Sequence, residues 1–324
     1  MRRLLVTGGC GFIGSNLIAH LSSRTNWRFR VFDNESLGKR HDILDLDVEF
    51  LAGDVRDPDA LNSSLKDIDT VVHLAADTRV LDSINDPQYN FENNVVGTFN
   101  LLNCMRASGV KHLVLASTGG AILGAATPPV HEKMVANPTS PYGASKLAAE
   151  GYCSAFGGAY GFQTTTLRFS NVYGPRSFHK GSVVAHFFKR IIGGNDLIVY
   201  GDGSQIRDYV YVEDLCDGIR RAIESAKSGL YQLGTGRPTP LSELIEKIKQ
   251  TVGEAYPVEI RYEDFRPGEL RRTWCDITKA QRELEYQPRT SLEEGLRKTW
   301  SWFQSTYRAE ADAPPETAGQ GTAE

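Results

Sequence analysis

The sequence predicts an α/β fold in which a doubly wound parallel sheet is joined to a smaller, mixed C-terminal lobe. Three observations support this prediction. Short β-branched or apolar runs alternate with amphipathic stretches through the first half of the chain. A glycine-rich turn follows the first apolar run and opens the first amphipathic stretch. After about residue 175 this alternation gives way to proline and glycine turns, which indicates a second lobe.

The elements follow in order from local patterns. Strands are predicted at 4–7, 29–32, 48–51, 70–74, 112–116 and 164–169. Helices between such strands are typical of a parallel sheet covered on both faces. One helix is marked by Asp57 before Pro58, because an acidic N-cap followed by proline favours a helix start. Further helices are predicted over 11–22, 90–107, 142–159, 241–252 and 292–304.

The same patterns set the expected domain boundaries. Residues 1–175 form the predicted nucleotide-binding domain, to which some later segments return. Residues 176–306 mainly form the predicted substrate-binding lobe. Residues 307–324 are rich in Ala, Pro, Gly and Glu and lack apolar periodicity, so we expect a disordered tail.

Composition excludes several classes of protein. The 324 residues carry a net charge of −4, and the last sixteen contain four acids and no base, so the rest of the chain is neutral. A neutral body argues against nucleic-acid binding. Five scattered cysteines without a C-x-x-C pair or a histidine cluster predict neither a metal site nor a disulfide framework. No apolar run reaches the roughly 18 residues that a membrane span needs. We therefore expect a cytoplasmic protein with no membrane contact.

The glycine-rich turn has the spacing of a dinucleotide site, and the predicted domain is accordingly Rossmann-like. Gly8, Gly11 and Gly14 flank Phe12 and Ile13 at the start of the first helix. Glycines let the backbone approach a pyrophosphate, and the helix N-terminus offers unpaired N–H groups to it. Asp33 ends the second strand, nineteen residues after Gly14, where a carboxylate binds ribose hydroxyls. Because a carboxylate repels a 2′-phosphate, NAD is expected rather than NADP.

Two further loops lie at the carboxyl ends of strands, where such cofactors bind. Asp54 and Val55 follow the third strand, and the segment Leu74, Ala75 and Ala76 follows the fourth. Each loop alone proves little. Together with the glycine turn they indicate one cofactor crevice.

The candidate catalytic pair is Tyr142 and Lys146. Their spacing of four puts both side chains on one face of a predicted helix. Many helices carry this spacing with a packed tyrosine and a solvated lysine, so the pair is a candidate because of its neighbours. A tyrosine titrates near 10, and a phenolate at neutral pH needs a shift of about 3 units, roughly 4 kcal/mol, from nearby positive charge. Lys146 and a bound nicotinamide cation are the expected sources.

A hydroxyl at the end of the fifth strand is the expected proton relay between Tyr142 and the substrate. Ser117 and Thr118 both lie there, and Ser/Thr after a strand is also common turn chemistry. The sequence leaves the choice open, and we prefer Thr118.

Several motifs together resemble the extended short-chain dehydrogenase/reductase family. The chain contains T-G-G-x-G-F-I-G, G-D-V-R-D, H-L-A-A, N-x-x-G-T, S-P-Y-G-x-S-K and R-x-x-N-V-Y-G-P, which cover about residues 1 to 300. The segments around Asp33, residues 206–214 and residues 266–269 are most similar to those of nucleotide-sugar 4-epimerases. The resemblance implies cofactor contacts from Asn34, Ser36, Gly38 and Asn94. It also implies substrate contacts: Asn171, Arg207 and Arg266 at the diphosphate and ribose, Tyr200 against uracil, and Thr273 beside the sugar C2 substituent.

Residues that this chain lacks narrow the choice of activity within the family. Dehydratases and decarboxylases of this kind carry an acid just after the active-site hydroxyl, whereas this chain has Gly119 and Gly120. A Tyr-Gly pair usual in such segments is replaced by Leu123 and Gly124. The small Thr273 leaves room for an N-acetyl group.

The resemblance therefore predicts a UDP-sugar 4-epimerase with tightly bound NAD, acting on UDP-glucose/UDP-galactose and also on UDP-GlcNAc/UDP-GalNAc. The alternatives are another NAD-dependent nucleotide-sugar enzyme (a UDP-glucuronate 4-epimerase, 4,6-dehydratase, decarboxylase or reductase) and a non-catalytic dinucleotide sensor. A uronate would need an extra cation, for which Arg79 and His179 are the candidates. Relatives pair through the helices predicted at 90–107 and 142–159, so a homodimer is expected.

Overall fold

The computed structural model describes residues 1–265 and 270–312, with side chains up to residue 306. Its main feature is a seven-stranded parallel sheet, which confirms the predicted fold class. The strand order is β11-β6-β5-β4-β1-β2-β3. The strands are β1 (Arg3–Thr7), β2 (Arg28–Asp33), β3 (Glu49–Ala52), β4 (Thr70–His73), β5 (His112–Thr118), β6 (Gln163–Phe169), β7 (Asn171–Tyr173), β8 (Leu197–Tyr200), β9 (Ile206–Arg207), β10 (Tyr209–Tyr211), β11 (Gly229–Leu233), β12 (Thr239–Pro240) and β13 (Ile260–Glu263).

Twelve α-helices cover the described residues of both lobes. They are α1 (Phe12–Ser22), α2 (Pro58–Ser64), α3 (Val80–Asn85), α4 (Pro87–Phe91), α5 (Gly97–Ser108), α6 (Gly120–Leu123), α7 (Pro141–Tyr160), α8 (Val183–Ile192), α9 (Val212–Ser225), α10 (Leu241–Val252), α11 (Thr278–Leu284) and α12 (Leu292–Asp312). A 3-10 turn spans Arg40–Ile43, and a π-helical turn spans Glu92–Val96.

Helices pack on both faces of the sheet because alternate strand residues point to opposite sides. Leu4 and Val6 of β1 belong to the core that also contains α1 and α9. Leu5, between them, belongs to the core formed with α2, α5 and α7. The strands are therefore apolar on both faces, as expected for a parallel sheet.

The strand order reverses between β1 and β4, which both contribute to the cofactor crevice. Strand β2 lies on one side of β1 and β4 on the other. Connections leave in opposite directions at such a point, and a crevice opens at the carboxyl ends of the two strands. The glycine turn after β1 and the loop after β4 both lie at this edge.

The smaller lobe is built from short strand pairs and three helices. The pairs are β7 with β10, β8 with β13, and β9 with β12. Helices α8, α10 and α12 pack beside them. Later segments also return to the large sheet, because β11 pairs with β6 and α9 packs on α1.

Three elements differ from the sequence prediction. The helix predicted over 90–107 consists of α4, the π-helical turn and α5 in one continuous run. Strand β5 extends to Thr118, so Ser117 and Thr118 lie within the strand. Helix α12 continues to Asp312, past the predicted start of the tail at residue 307, and residues 313–324 lie outside the described residues.

No helix among the described residues is long and apolar enough to cross a membrane.

Candidate active site

The glycine turn is shaped by a close backbone approach. Gly8 has φ +72°, and its N–H donates to the carbonyl of Phe32 at 2.9 Å. A Cβ at Gly8 would lie 2.6 Å from the nitrogen of Ala75, so no side chain fits between the two loops. Helix α1 begins at Phe12 with Gly11 as N-cap and has no acid in its first turn. Its first N–H groups can therefore receive an anion.

Asp33 is held at the end of β2 beside this turn. Its carboxylate accepts from the N–H of Cys10 at 3.0 Å and from that of Glu35 at 2.8 Å. Asp33 is 9% exposed, and burial raises the pKa of its carboxyl group. A Cβ at Gly38 would overlap the carbonyl of Cys10, so the 34–38 segment lies directly on the glycine turn.

Other residues predicted to contact the cofactor form hydrogen bonds with one another. Asn34 donates to Asp54 at 2.8 Å and accepts from the N–H of Ser36 at 3.1 Å. Arg56 donates to both carboxylate oxygens of Asp54 and holds the pKa of that carboxyl group well below its ordinary value. Val55 is buried in the core formed with α2 and α5.

A buried polar chain, here called the histidine chain, joins the glycine turn to the helix that carries Asn94. It consists of Thr7, His73, Thr98 and Asn94, with contacts of 2.7, 3.0 and 2.6 Å along it. Thr98 donates to the carbonyl of Asn94, so its oxygen accepts from His73 Nε2, and Nδ1 accepts from Thr7. Burial lowers the pKa of His73 to about 3, so its ring is neutral.

Asn94 connects this chain to the candidate catalytic helix. Its side chain accepts from the N–H of Asp77 at 2.8 Å and donates to the carbonyl of Asp77 at 2.8 Å and to Ser145 Oγ at 3.0 Å. Ser145 in turn donates to the carbonyl of Tyr142 at 2.9 Å. Asn94 lies in the π-helical turn, a deviation often found at functional sites.

The two candidate relay hydroxyls point in different directions. Thr118 lies beside Tyr142, and both side chains face the same cavity. Ser117 donates to Glu150 at 2.7 Å on the other side of the strand. The alternation of side chains along β5 thus separates the two, and only Thr118 lies beside the tyrosine.

Burial is the main cause of the pKa shifts of Tyr142 and Lys146. Tyr142 is 9% exposed, and burial raises its pKa to about 12, while the neighbouring Thr118 hydroxyl opposes this rise. Lys146 is 5% exposed and donates to the carbonyl of Ala116 at 3.1 Å. Burial lowers the pKa of Lys146 to about 8. The chain alone therefore presents a neutral Tyr142, and a phenolate at neutral pH would need about 7 kcal/mol from further positive charge.

A cavity of about 430 Å³ adjoins the pair. Thr118 and Tyr142 form part of its lining, as do Asn171, Arg207 and Thr273. One wall is apolar and comes from Val80, Leu81 and Ile84 of α3. We call this space the sugar cavity.

A second cavity of about 360 Å³ shares Asn171 and Arg207 with the sugar cavity. Its lining also includes Lys180 and the start of α8. Tyr200 is not among the described residues that line either cavity, and Arg266 lies outside the described residues. Of the predicted substrate residues, the structure therefore brings Asn171, Arg207 and Thr273 together with Thr118 and Tyr142.

The two glycines after Thr118 differ in the space around them. A Cβ at Gly119 would lie 2.7 Å from Oε1 of the fully buried Gln232, so an acid does not fit there without displacing that side chain. A Cβ at Gly120 would meet Thr273 at 3.5 Å, an ordinary contact.

Sequence reasoning missed the partners that hold the site together. Glu150 and Arg168 form a buried pair beneath the catalytic helix. The buried Asp208 accepts from the N–H groups of Thr235 and Gly236 at 2.8 and 3.0 Å and supports the loop after β11. The spacing of Tyr142, Lys146 and Glu150 at every fourth position was a signal for Glu150. The side-chain partners of Asp208 within the described part of the chain are all distant in sequence.

Comparisons with known proteins agree with this geometry. A family model described as GDP-mannose 4,6 dehydratase matches residues 5–299. A putative UDP-glucose 4-epimerase of Methanocaldococcus jannaschii is 37% identical over 309 residues, which cover 94% of this chain and 99% of that protein. A UDP-glucose 4-epimerase of Thermotoga maritima, crystallised with UDP-glucose, has a TM-score of 0.88 and 36% identity over 94% of this chain and 99% of that one. A Thermus thermophilus UDP-glucose 4-epimerase in complex with NAD has a TM-score of 0.87 and 36% identity over 93% and 99% of the two chains. The protein thus belongs to the extended short-chain dehydrogenase/reductase family, in the branch that contains the UDP-sugar 4-epimerases.

Proposed function

We propose that this protein is a UDP-sugar 4-epimerase with tightly bound NAD. One observation carries the proposal: Tyr142, beside Thr118 and one turn from Lys146, lies between a dinucleotide crevice and a cavity lined by Asn171 and Arg207. This arrangement puts a proton-transfer group between a redox cofactor site and a polar substrate site, as C4 oxidation and reduction require.

The crevice residues fit NAD. The open N-terminus of α1 and the closely packed glycine turn before it suit a pyrophosphate, and Asp33 suits the ribose hydroxyls. A carboxylate at this place repels a 2′-phosphate, which favours NAD over NADP. When bound, NAD accepts hydride from the sugar C4 and returns it.

The chain's own residues move the proton. Tyr142 takes the proton of the 4-hydroxyl, directly or through Thr118, and gives it back after the keto sugar has turned its other face. Lys146 supplies positive charge beside Tyr142, and a bound nicotinamide ring would add to it. The added charge is needed, because burial keeps the pKa of Tyr142 at about 12 in the chain alone, where Lys146 is already present.

The substrate residues favour a neutral UDP-hexose. Asn171 and Arg207 line both cavities, which suits a diphosphate that joins the sugar in one to the nucleoside in the other. The cations considered for a uronate are elsewhere: Arg79 pairs with Asp82 at 2.7 Å, and His179 packs on Phe178. Neither is among the described residues that line the sugar cavity.

Two positions bear on substrate range and reaction type. Thr273 lies next to Gly120 in the lining of the sugar cavity, and its small side chain favours an N-acetyl group at C2. Gly119 and Gly120 follow Thr118 where a dehydratase would carry an acid, which argues against a dehydratase.

We also propose a homodimer through α5 and α7. Phe99, Tyr152 and Tyr160 on these helices are 38–42% exposed, and the Phe99 and Tyr152 rings lie 5.2 Å apart. An exposed aromatic surface of this kind favours an apolar partner surface, and a second copy offers the same one.

The test is to incubate the purified protein, without added cofactor, with UDP-glucose and separately with UDP-N-acetylglucosamine, and to follow the anomeric proton signals by NMR. We expect the galacto epimers at unchanged mass. Tyr142→Phe should lower turnover about 10²- to 10⁴-fold with little effect on substrate binding. Ser305→Ala, on α12, serves as the control.

Other outcomes would contradict the proposal. A loss of mass would indicate a dehydratase or decarboxylase, and conversion of UDP-glucuronate alone would indicate the uronate enzyme. Binding of NAD and sugar nucleotide without conversion would indicate a sensor. Full turnover in Tyr142→Phe would refute the role of the tyrosine.

A further inference from the structure

A buried ion pair lies beneath the catalytic helix. Arg168 of β6 donates to both carboxylate oxygens of Glu150 on α7, at 2.9 and 2.7 Å. The two side chains are 4% and 10% exposed. Ser117 donates to the same carboxylate at 2.7 Å. We call Ser117, Glu150 and Arg168 the carboxylate cluster.

The cluster continues a regular series of contacts between α7 and the end of β5. Tyr142, Lys146 and Glu150 follow each other at every fourth position of α7 and therefore share one face. They contact three consecutive residues of β5: Thr118 meets Tyr142, the carbonyl of Ala116 meets Lys146, and Ser117 meets Glu150. Glu150 thus fixes the strand on the side opposite to the Thr118 hydroxyl.

Among the charged groups around Lys146, Glu150 has the largest effect on its pKa. Burial lowers the pKa of Lys146 to about 8, and the charge of Glu150 opposes this fall more than that of any other group. Asp77, from the loop after β4, and Cys153, on α7 itself, act in the same direction. His73 of β4 also faces Lys146, but its ring is neutral. Arg168 lies beyond Glu150 on β6.

We propose that Glu150 is a positioning residue for proton transfer: it keeps Lys146 charged beside Tyr142 and, through Ser117, holds Thr118 toward the tyrosine. This inference rests on the proposed function. A purely structural pair would act differently, because a buried pair can often be replaced by apolar side chains of similar volume without loss of stability.

The test must remove the charge without leaving Arg168 unpaired. Nη1 of Arg168 is buried and has no partner among the described residues, so Glu150→Gln alone would leave a guanidinium with little compensation. The double variant Glu150→Gln/Arg168→Met removes both charges, and the glutamine still accepts from Ser117. Arg30→Met/Glu49→Met, an ion pair at the β2–β3 edge, is the matched control.

The variants are compared by turnover and KM across pH and by near-ultraviolet titration of tyrosinate in the NAD-containing proteins. Each titration is corrected with the corresponding Tyr142→Phe protein. We expect the alkaline limb of the kcat–pH profile to move about one unit to lower pH in the double variant, since loss of an opposite charge one helical turn away lowers the pKa of a lysine. Turnover at pH 8.5 should fall about tenfold, with KM within twofold, while the control keeps the wild-type profile.

Two results would overturn the inference. One is a folded double variant with the wild-type pH profile and the wild-type tyrosinate titration. The other is a parallel loss of turnover at every pH, which would indicate a structural role only. If the double variant does not fold, Glu150→Asp, which keeps the charge, must retain the wild-type alkaline limb. Failure of the proposed function is distinguishable, because then the wild type itself does not epimerise, whereas the tyrosinate titration still reports on Tyr142.

Discussion

The neutral ring of His73 predicts a specific loss of stability in mild acid. The folded protein holds the pKa of His73 at about 3, against an ordinary value of 6.5. Below pH 6.5 the unfolded chain therefore binds a proton that the folded chain does not, so the free energy of unfolding falls as the pH falls. From pH 7.5 to pH 5 this one residue accounts for a loss of about 2 kcal/mol. The loss continues until the pH approaches the folded-state pKa.

The variant His73→Gln tests this prediction, because glutamine keeps a donor and an acceptor for the histidine chain but does not titrate. Urea unfolding at pH 7.5, 6.5, 5.5 and 5.0 gives the free energy of unfolding of both proteins. Other buried histidines and the carboxylates titrate in both, so they cancel in the difference. We expect the wild type to lose about 2 kcal/mol more than the variant over this range. Parallel pH dependences would show that the ring is protonated in the fold or exposed before unfolding.

Three other predictions concern the site and the assembly. Thr118→Val should lower turnover about 10²-fold or more, whereas Ser117→Ala should lower it less than tenfold, as measured by steady-state kinetics; the reverse order would make Ser117 the relay. Thr273→Tyr should remove turnover of N-acetylated substrates and keep that of UDP-glucose, and equal loss on both would refute the gate. Phe99→Glu/Tyr152→Glu should give a monomer by sedimentation velocity, and an unchanged mass would exclude α5 and α7 as the dimer surface.

The sheet was predictable because each strand is defined locally. The runs predicted at 4–7 and 164–169 match β1 and β6 to within one residue, since their β-branched and apolar side chains lie between clear turns. The helix predicted over 241–252 has the observed bounds of α10. The π-helical turn was not predictable, because it is stabilised by the long-range contacts of Asn94 with Asp77 and Ser145.

Several residues that the sequence proposes for the site line one cavity, but the directions of their side chains were not predictable. Strand alternation requires Ser117 and Thr118 to point to opposite sides, yet it does not say which side faces Tyr142. That choice depends on Glu150, which binds Ser117 from the far side. The pKa of Tyr142 was also not predictable from the sequence. Its spacing to Lys146 favours a lowered pKa, whereas burial in the chain alone raises it.

The two buried networks also indicate where the site can move. Through Ser145 the histidine chain reaches the backbone carbonyl of Tyr142. The carboxylate cluster holds the strand beneath it, so buried hydrogen bonds fix two sides of the tyrosine. The remaining side is α3, a short helix whose Ser83 accepts from the N–H of Tyr142. Val80, Leu81 and Ile84 of this helix are 42–56% exposed and line the sugar cavity. Apolar contacts are non-directional and do not bind one orientation of a hydroxyl-rich ring more than another. We therefore expect a 4-keto sugar to turn against α3, while the polar side with Thr118 and Tyr142 stays in place for the return of the proton.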